Sequence, residues 1–418
     1  MSKKEFYKVL QSEIDRIDGV KTTKRQEKII TGFTKDPSPR GIIDGKKVLI
    51  FNSNDYLGLR FHPALLQAEQ ETSEKFGTGP GAVRFISGSL SPHKDLEKAL
   101  AKFHGREDAM VFSSAFATNL AVNFSLIVGQ SKDSMVEPNV LVVSDALNHR
   151  SIIDGIRIAN LPKEQKAIFA HMDTKDLDKV LGEGVKTYDR AIVITDGVFS
   201  MLGEIQKLKE MRAIVDKYDK KYKKGVLLIV DDCHGIGALG DNGAGAEEIE
   251  GAKADVLVGS LGKGLGADGG YVAADKVVID YLRESAATYI YSNSISPGTA
   301  AAGTAAVNLL GKADGKKLIK NLKENIIYFK SLVKKNGFKM AADSIHPIQP
   351  LLIGDPDKTK ALVQHLFKKN ILVTNINYPV VAKGNDEIRI QISATHTKSD
   401  IDELMNALKE ANKTIQFC

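Results

Sequence analysis

The sequence has 418 residues, of which 43% are hydrophobic and 26% charged, with a formal net charge of +6. That length exceeds one ordinary core, so two or three packed units are expected. Two isolated cysteines, Cys233 and Cys418, exclude a disulfide framework or a zinc cluster and fit a reducing, cytoplasmic setting. No run reaches the ~18 apolar residues of a membrane span, and the charged N-terminus lacks the apolar stretch of a signal peptide.

In chain order, residues 1 to about 35 read as a polar, amphipathic helical arm, with Phe6, Val9, Leu10 and Ile14 near helical spacing. GKKVLIFNSNDYLGL follows as a short strand running into a polar turn, closing an N-terminal unit at about residue 55. Residues 56–298 alternate helical and strand signals. Four short apolar runs stand out there: VLVVSD (140–145), AIVITDG (191–197), GVLLIVDD (225–232) and DVLVGS (255–260). Most are separated by enough chain for a crossover helix, the pattern of a mostly parallel sheet buried on both faces. Ligands of such sheets sit beyond the carboxyl ends of the strands. Asp145, Thr195, Asp196, Asp231, Asp232 and Ser260 are therefore expected to converge on one crevice. The most basic stretch, Lys207 to Lys224, carries apolar residues at helical spacing and reads as a helix with one packed face. The alternative is a nucleic-acid patch with Tyr218 and Tyr222 as stacking platforms, which nothing else in the chain supports. From residue 299 the texture changes to a small-residue helix, a Lys-rich helix and short strands near 348–353, 371–375 and 387–393, the outline of a smaller α+β domain.

Four motifs carry chemistry. Lys263 lies in SLGKGLGADGGY, just past a predicted buried strand. A lysine amine beside a cleft can form a Schiff base with an aldehyde, although a lysine in a flexible surface loop reads the same in isolation. Gly264, Gly266 and Gly269 fit GxGxxG, as do Gly235, Gly237 and Gly240. Neither match leads into the helix that a dinucleotide site requires. In VDDCHGIGALG, Asp231 and His234 follow a buried strand. A buried carboxylate needs a cationic or donor partner, which a pyridinium nitrogen or a plain turn would supply. In SDALNHRSIIDG, His149 stands between a strand end and a helix, suited to stacking, to proton transfer or to a capping role. In VFSSAFATNL, small hydroxyl residues open a helix, where free N–H groups suit a phosphate or an ordinary cap.

The order of FNSNDYLGL, RFISGSLSPHKDLE, VFSSAFATN, SDALNHRSIIDG, TDGVFSM, VDDCHGIGALG, GSLGKGLGADGGY, YSNSISP and RIQISATHT resembles the α-oxoamine synthase family of pyridoxal-phosphate enzymes. The likeness spans about residues 45–400. It implies an α/β fold of type I: a large domain with a mostly parallel seven-stranded sheet, plus a smaller C-terminal α+β domain. The implied reaction condenses an amino acid with an acyl-CoA and releases CoA. The implied cofactor is pyridoxal 5'-phosphate, and the implied assembly is a homodimer with sites at the interface. By the same resemblance Lys263 would hold the cofactor as a Schiff base and move protons. Asp231 would pair with the pyridine nitrogen, His149 would stack on the ring, and His234 and Ser200 would approach the ring oxygen. Ser260 and Ser114–Ala115–Phe116 would bind phosphate, with Ser292 reaching the neighbouring subunit's phosphate. Asn54 and Arg389 would hold the amino acid's carboxylate, a contact for which a guanidinium is well shaped. The motifs are nearest in form to those of glycine C-acetyltransferase, and are largely shared with serine palmitoyltransferase and 8-amino-7-oxononanoate synthase. Two positions depart from the family pattern: Leu202 stands for an acidic residue and Ala244 for an arginine, which points to a different acyl or CoA pocket.

Overall fold

The computed structural model describes residues 3–19, 23–25, 27–34, 38, 40–131, 133–378 and 380–417; Cys418 lies outside them. Three N-terminal strands come first: β1 (Gly32–Phe33), β2 (Arg40–Ile43) and β3 (Lys46–Ile50). Seven strands follow: β4 (Asp108–Phe112), β5 (Val140–Asp145), β6 (Lys166–Phe169), β7 (Arg190–Asp196), β8 (Val226–Asp231), β9 (Val256–Ser260) and β10 (Gly270–Ala274). Four short ones close the chain: β11 (Ile348–Leu352), β12 (Ile371–Leu372), β13 (Thr374–Ile376) and β14 (Glu387–Gln391).

The four apolar runs form β5, β7, β8 and β9, adjacent in a seven-stranded sheet of order β4-β10-β9-β8-β7-β5-β6. Every pairing is parallel except those of β10, which runs antiparallel to both β4 and β9. β5 and β9 are buried along their whole length, as expected where helices cover both faces. The carboxyl ends of β5, β7, β8 and β9 thus share one edge, the edge at which an open α/β sheet presents ligands.

The N-terminal and C-terminal thirds are joined. β3 pairs parallel with β12, and Gln391 at the end of β14 donates its backbone N–H to the Phe51 carbonyl at 2.8 Å. A third sheet, β11-β14-β13, is antiparallel. The turn FNSNDYLGL is thereby clamped between the large sheet and β14, with Tyr56 and Leu57 fully buried.

One expectation is corrected and another is met. Among the described residues the N-terminal helix spans Lys3–Gly19, not to about residue 35, and no described residue of it is buried; the chain has extended into β1 by Gly32. Residues 207–224 do contain a helix, Leu208–Asp219, whose Leu208, Met211, Val215 and Tyr218 are buried. With Tyr222 also buried, neither tyrosine offers a face for stacking. Among the described residues no helix is long and apolar enough to cross a membrane.

Candidate active site

Alternation along a strand sends successive side chains to opposite faces, and this sorts the expected crevice residues. At the end of β8, Asp231 points along the helix-capped edge. Its Oδ2 accepts from Asn119 Nδ2 at 2.5 Å and its Oδ1 from the Cys233 N–H at 2.9 Å. Asp232, expected in the same crevice, faces the other way. Its Oδ2 accepts from the Ala246 N–H at 2.6 Å, and a Cβ on Gly235 or Gly245 would lie 2.1 or 2.0 Å from its carboxylate oxygens. Asp232 therefore organises the glycine turn behind the site. Asp145 is also withdrawn, bonded to His171 Nδ1 at 2.9 Å and to the N–H groups of Leu147 and Met172. Thr195 is fully buried and accepts from Gln206 Nε2 at 2.8 Å.

Asp196, at the end of β7, does reach the site. Its Oδ2 accepts from the His149 N–H at 2.7 Å. Burial, reinforced by neighbouring Asp231, pushes its carboxyl well above the usual carboxylate range. His149 caps the helix Arg150–Ile158 and its Nδ1 lies 2.7 Å from Ser151 Oγ. Ser151 in turn accepts from Asn119, so one chain of hydrogen bonds ties His149 to Asp231. Burial first, then the Lys263 charge, holds the His149 imidazole below its usual range and so neutral. Asn119 was quoted within a motif but given no role by sequence; a buried amide donating to both partners is the feature that reveals it.

Lys263 is half-buried in the loop between β9 and β10, close enough for its charge to act on His149, Asp196, Cys233, His234 and His346. Two glycine loops touch to put it there. A Cβ on Gly264 would stand 2.5 Å from the Ile236 carbonyl oxygen, and one on Gly237, where φ is +81°, would stand 2.8 Å from Gly264. The glycines that mimic a nucleotide fingerprint thus serve loop-on-loop contact. Cys233 packs in the core, its thiol pushed well up by burial and by Asp231, which removes thiolate chemistry.

Ser114 caps the helix Ala115–Val128, its hydroxyl accepting from the Ala117 N–H at 3.1 Å. Gly270 lies against that helix start so closely that a Cβ would meet the Ala115 nitrogen at 2.3 Å. Phe116 is exposed. Ser260 is buried and its hydroxyl accepts from the Gly262 N–H at 3.2 Å. Ser292 is exposed, in a small hollow it shares with Ser113 and Arg84.

On the opposite wall, His234 is buried and its Nδ1 lies 2.7 Å from the Tyr56 hydroxyl. Burial, then Lys263 and Arg389, drives its imidazole well below the usual range. Burial likewise raises Tyr56 to about 12, so both groups are neutral at physiological pH. Asn54 Oδ1 accepts from Gln391 Nε2 at 2.5 Å. Arg389 Nε donates to the Ser200 carbonyl at 2.7 Å. Ser200 is thus bonded to the guanidinium through its backbone, and the Tyr56 hydroxyl is a second partner of Arg389. Tyr56, His346 and Gln391 complete this wall without having been singled out in the sequence.

A model of the aminotransferase class I and II family matches residues 46–408. The chain belongs to that family. It is 36% identical over 391 residues to 8-amino-7-oxononanoate synthase of Thermoanaerobacter pseudethanolicus, covering 93% of each chain. It is 37% identical over 410 residues to the mitochondrial 2-amino-3-ketobutyrate coenzyme A ligase of Mus musculus, covering 97% of this chain and 92% of that one. A solved serine palmitoyltransferase from Sphingomonas wittichii superposes with a TM-score of 0.87 at 25% identity over 100% of this chain and 99% of that one. These relatives place the protein among the α-oxoamine synthases, and it is a pyridoxal-phosphate-dependent acyltransferase.

The site of this α-oxoamine synthase fits that cofactor. Two buried carboxylates, Asp196 and Asp231, share the edge with Lys263, and a cationic ring nitrogen would relieve their repulsion. Asn119 leaves its Oδ1 buried without a hydrogen-bond partner. Backbone N–H groups of a helix start, crowded open by Gly270, face the same edge and suit a phosphate.

Proposed function

We propose that this enzyme condenses glycine with an acyl-CoA, acetyl-CoA being the first candidate, to give a 2-amino-3-oxo acid and free CoA. The observation that carries this reading is an apolar cavity of about 380 Å³ beside Arg389, lined by Leu147, Phe199, Leu202 and Leu352 among others. An aminotransferase exchanging small amino and keto acids has no use for a second apolar chamber next to its carboxylate clamp, whereas an acyl acceptor site needs one. The preference for glycine rests on motif likeness and on the relative from Mus musculus.

In this proposal Lys263 holds the cofactor's aldehyde carbon and moves the Cα proton. Asp231, fixed by Asn119, pairs with the ring nitrogen. Neutral His149 stacks on the ring without adding charge, and His234 and Ser200 stand by the ring oxygen. Ser260 and residues 114–116 hold the phosphate, with Ser292 serving the site of a second subunit in a homodimer. Asn54 and Arg389 hold the amino acid's carboxylate. The bound cofactor supplies an electron sink for the pair left on Cα. Cα then bonds to the thioester carbonyl carbon, the C–S bond breaks, and CoA departs with a proton.

The cavity also favours a second reading, with an acyl chain longer than acetyl, as in the 8-amino-7-oxononanoate and serine palmitoyl relatives. Its volume falls within the roughly 300–1,000 Å³ typical of sites for small organic ligands, more than one methyl group requires. A thiol-release assay crossing glycine, serine and alanine with acetyl-, pimeloyl- and long-chain acyl-CoA separates the readings. Fastest release from glycine is expected. No release from any pair would overturn the condensation, and conversion of the amino acid to its keto acid without CoA would show an aminotransferase.

A further inference from the structure

Tyr56 is fully buried, and its hydroxyl is a meeting point of side chains from three parts of the chain. His234 Nδ1 lies 2.7 Å away and Asn54 Oδ1 3.4 Å. Arg389 and Gln391 bond to the same oxygen from β14. The Gln391 Oε1 has no partner, so its amide N–H makes that bond. A phenol has one proton to give and two lone pairs that accept. The guanidinium and the amide N–H can only donate, so they occupy the lone pairs, and the proton is left for His234 or Asn54. Asn54 Oδ1 already accepts from Gln391 Nε2 at 2.5 Å, and 3.4 Å is long for a bond from a hydroxyl. The Tyr56 proton therefore goes to His234 Nδ1.

A neutral imidazole that accepts at Nδ1 carries its own proton on Nε2. His234 is held neutral by burial, then by the charges of Lys263 and Arg389. A second histidine fixes its main chain. His346 Nε2 lies 2.8 Å from the His234 carbonyl, which can only accept, and His346 Nδ1 accepts from the Ile348 N–H at 3.1 Å. Both the ring and the backbone of His234 are thus held from outside. Its Nε2 has no hydrogen-bond partner among the described residues.

Building on the condensation reading, we infer that Tyr56 is a positioning residue: its hydroxyl fixes His234 in the Nε2–H tautomer, so that His234 meets an oxygen of substrate or cofactor as a hydrogen-bond donor and does not act as a base. A base needs a bare nitrogen facing the ligand, and the bare nitrogen of this ring is the one turned to Tyr56. Proton removal is left to Lys263. A donor oriented before any ligand arrives suits an oxygen that gains negative charge during the reaction. Because Arg389 bonds to the same hydroxyl, the carboxylate clamp and the His234 donor are tied together through Tyr56.

Nitrogen-15 NMR of histidine-labelled holoenzyme reads the tautomer directly, with the His234 signals identified by their loss in His234→Asn. The wild type is expected to show a protonated Nε2 and a bare, hydrogen-bonded Nδ1. Tyr56→Phe removes only the hydroxyl, and its His234 ring should divide between the two tautomers. CoA release from glycine and acetyl-CoA should fall about ten- to a hundredfold in kcat, while KM for glycine changes less than about threefold. A tyrosine with a merely structural role would move stability and leave both the tautomer and kcat unchanged. A proton on Nδ1 in the wild type, or wild-type kcat in a folded Tyr56→Phe, would overturn the inference while leaving the condensation intact. The wild-type spectrum decides even if the variant folds poorly. Absence of CoA release from every thioester would overturn the condensation reading, and an Nε2 proton in that same protein would still uphold the Tyr56 hold on the ring.

Discussion

Asp231 and Glu387 are both buried carboxylates at the ends of interior strands, yet their surroundings are opposite. Asp231 receives an amide from Asn119 and a backbone N–H from Cys233, and Lys263 and His149 stand nearby. The Glu387 carboxyl has no hydrogen-bond partner among the described residues and lies beside an apolar chamber. The first environment holds donors that are oriented before any ligand arrives. The second lacks donors, a costly setting that a buried acid meets by holding its proton. The two carboxylates therefore differ in preparation: the large-sheet edge holds oriented donors, and the β14 wall does not.

The largest expected effect lies on the first side. Lys263→Ala should abolish the visible absorption band of the purified protein and lower CoA release by at least about 1,000-fold, as expected when a covalent catalytic group is lost. Survival of the band would remove Lys263 from its role. Asp231→Asn keeps size and shape but loses the charge. The band should remain while kcat falls about 100-fold or more, since proton-state control at catalytic positions contributes on that scale. Asn119→Ala acts one bond further out. It deprives Asp231 and Ser151 of a shared donor, a loss of about 1–3 kcal/mol, or roughly ten- to a hundredfold in kcat. KM for glycine should hardly change, and Asn119→Gln should recover part of the rate. If Asn119→Ala reduces stability alone and leaves kcat intact, the bridge from His149 to Asp231 is structural only.

The same division explains what the sequence discloses. β5, β7, β8 and β9 are legible because burial on both faces demands unbroken apolar runs, and their polar ends mark the edge. β4 and β6 escape notice because DAMVF opens on an acid and KAIF, at the sheet's edge, leaves Lys166 and Ile168 exposed, so neither reads as an unbroken apolar run. Lys263, Asp231 and His149 can be found because each follows a strand end in a motif. Asp232 misleads because one step along a strand reverses the face, and sequence does not say which of two adjacent acids looks inward. The cavity is illegible for a different reason. Its wall gathers Leu147, Phe199, Leu352 and Glu387 from distant parts of the chain, and only the pairing of β14 with β11 and β13 brings them together. Leu202 could be flagged as a departure from pattern, but its place on the cavity wall appears only in the fold.

The smallest expected effect sharpens the β14 side without any substrate. Glu387 has its carboxyl raised to about 8 from an ordinary value of 4.5, so in the folded state it keeps its proton where the unfolded chain has lost it. Between those values the folded state binds more protons than the unfolded one, and stability declines as pH rises. The contribution is whole below 4.5 and is lost by the time pH has passed 8. Glu387→Gln cannot ionise and escapes this loss. Its melting temperature relative to wild type should therefore climb by a few °C between pH 6 and pH 9. His171 must be held constant in the comparison, because His171, raised to about 9 by Asp145 and Glu204 against the pull of burial, also sheds stability as pH climbs through that range. Measuring the variant against wild type at each pH cancels the His171 contribution, which both proteins share. A difference that stays flat across the range would mean that water or a cation reaches Glu387 in solution, and the contrast with Asp231 would then be one of degree.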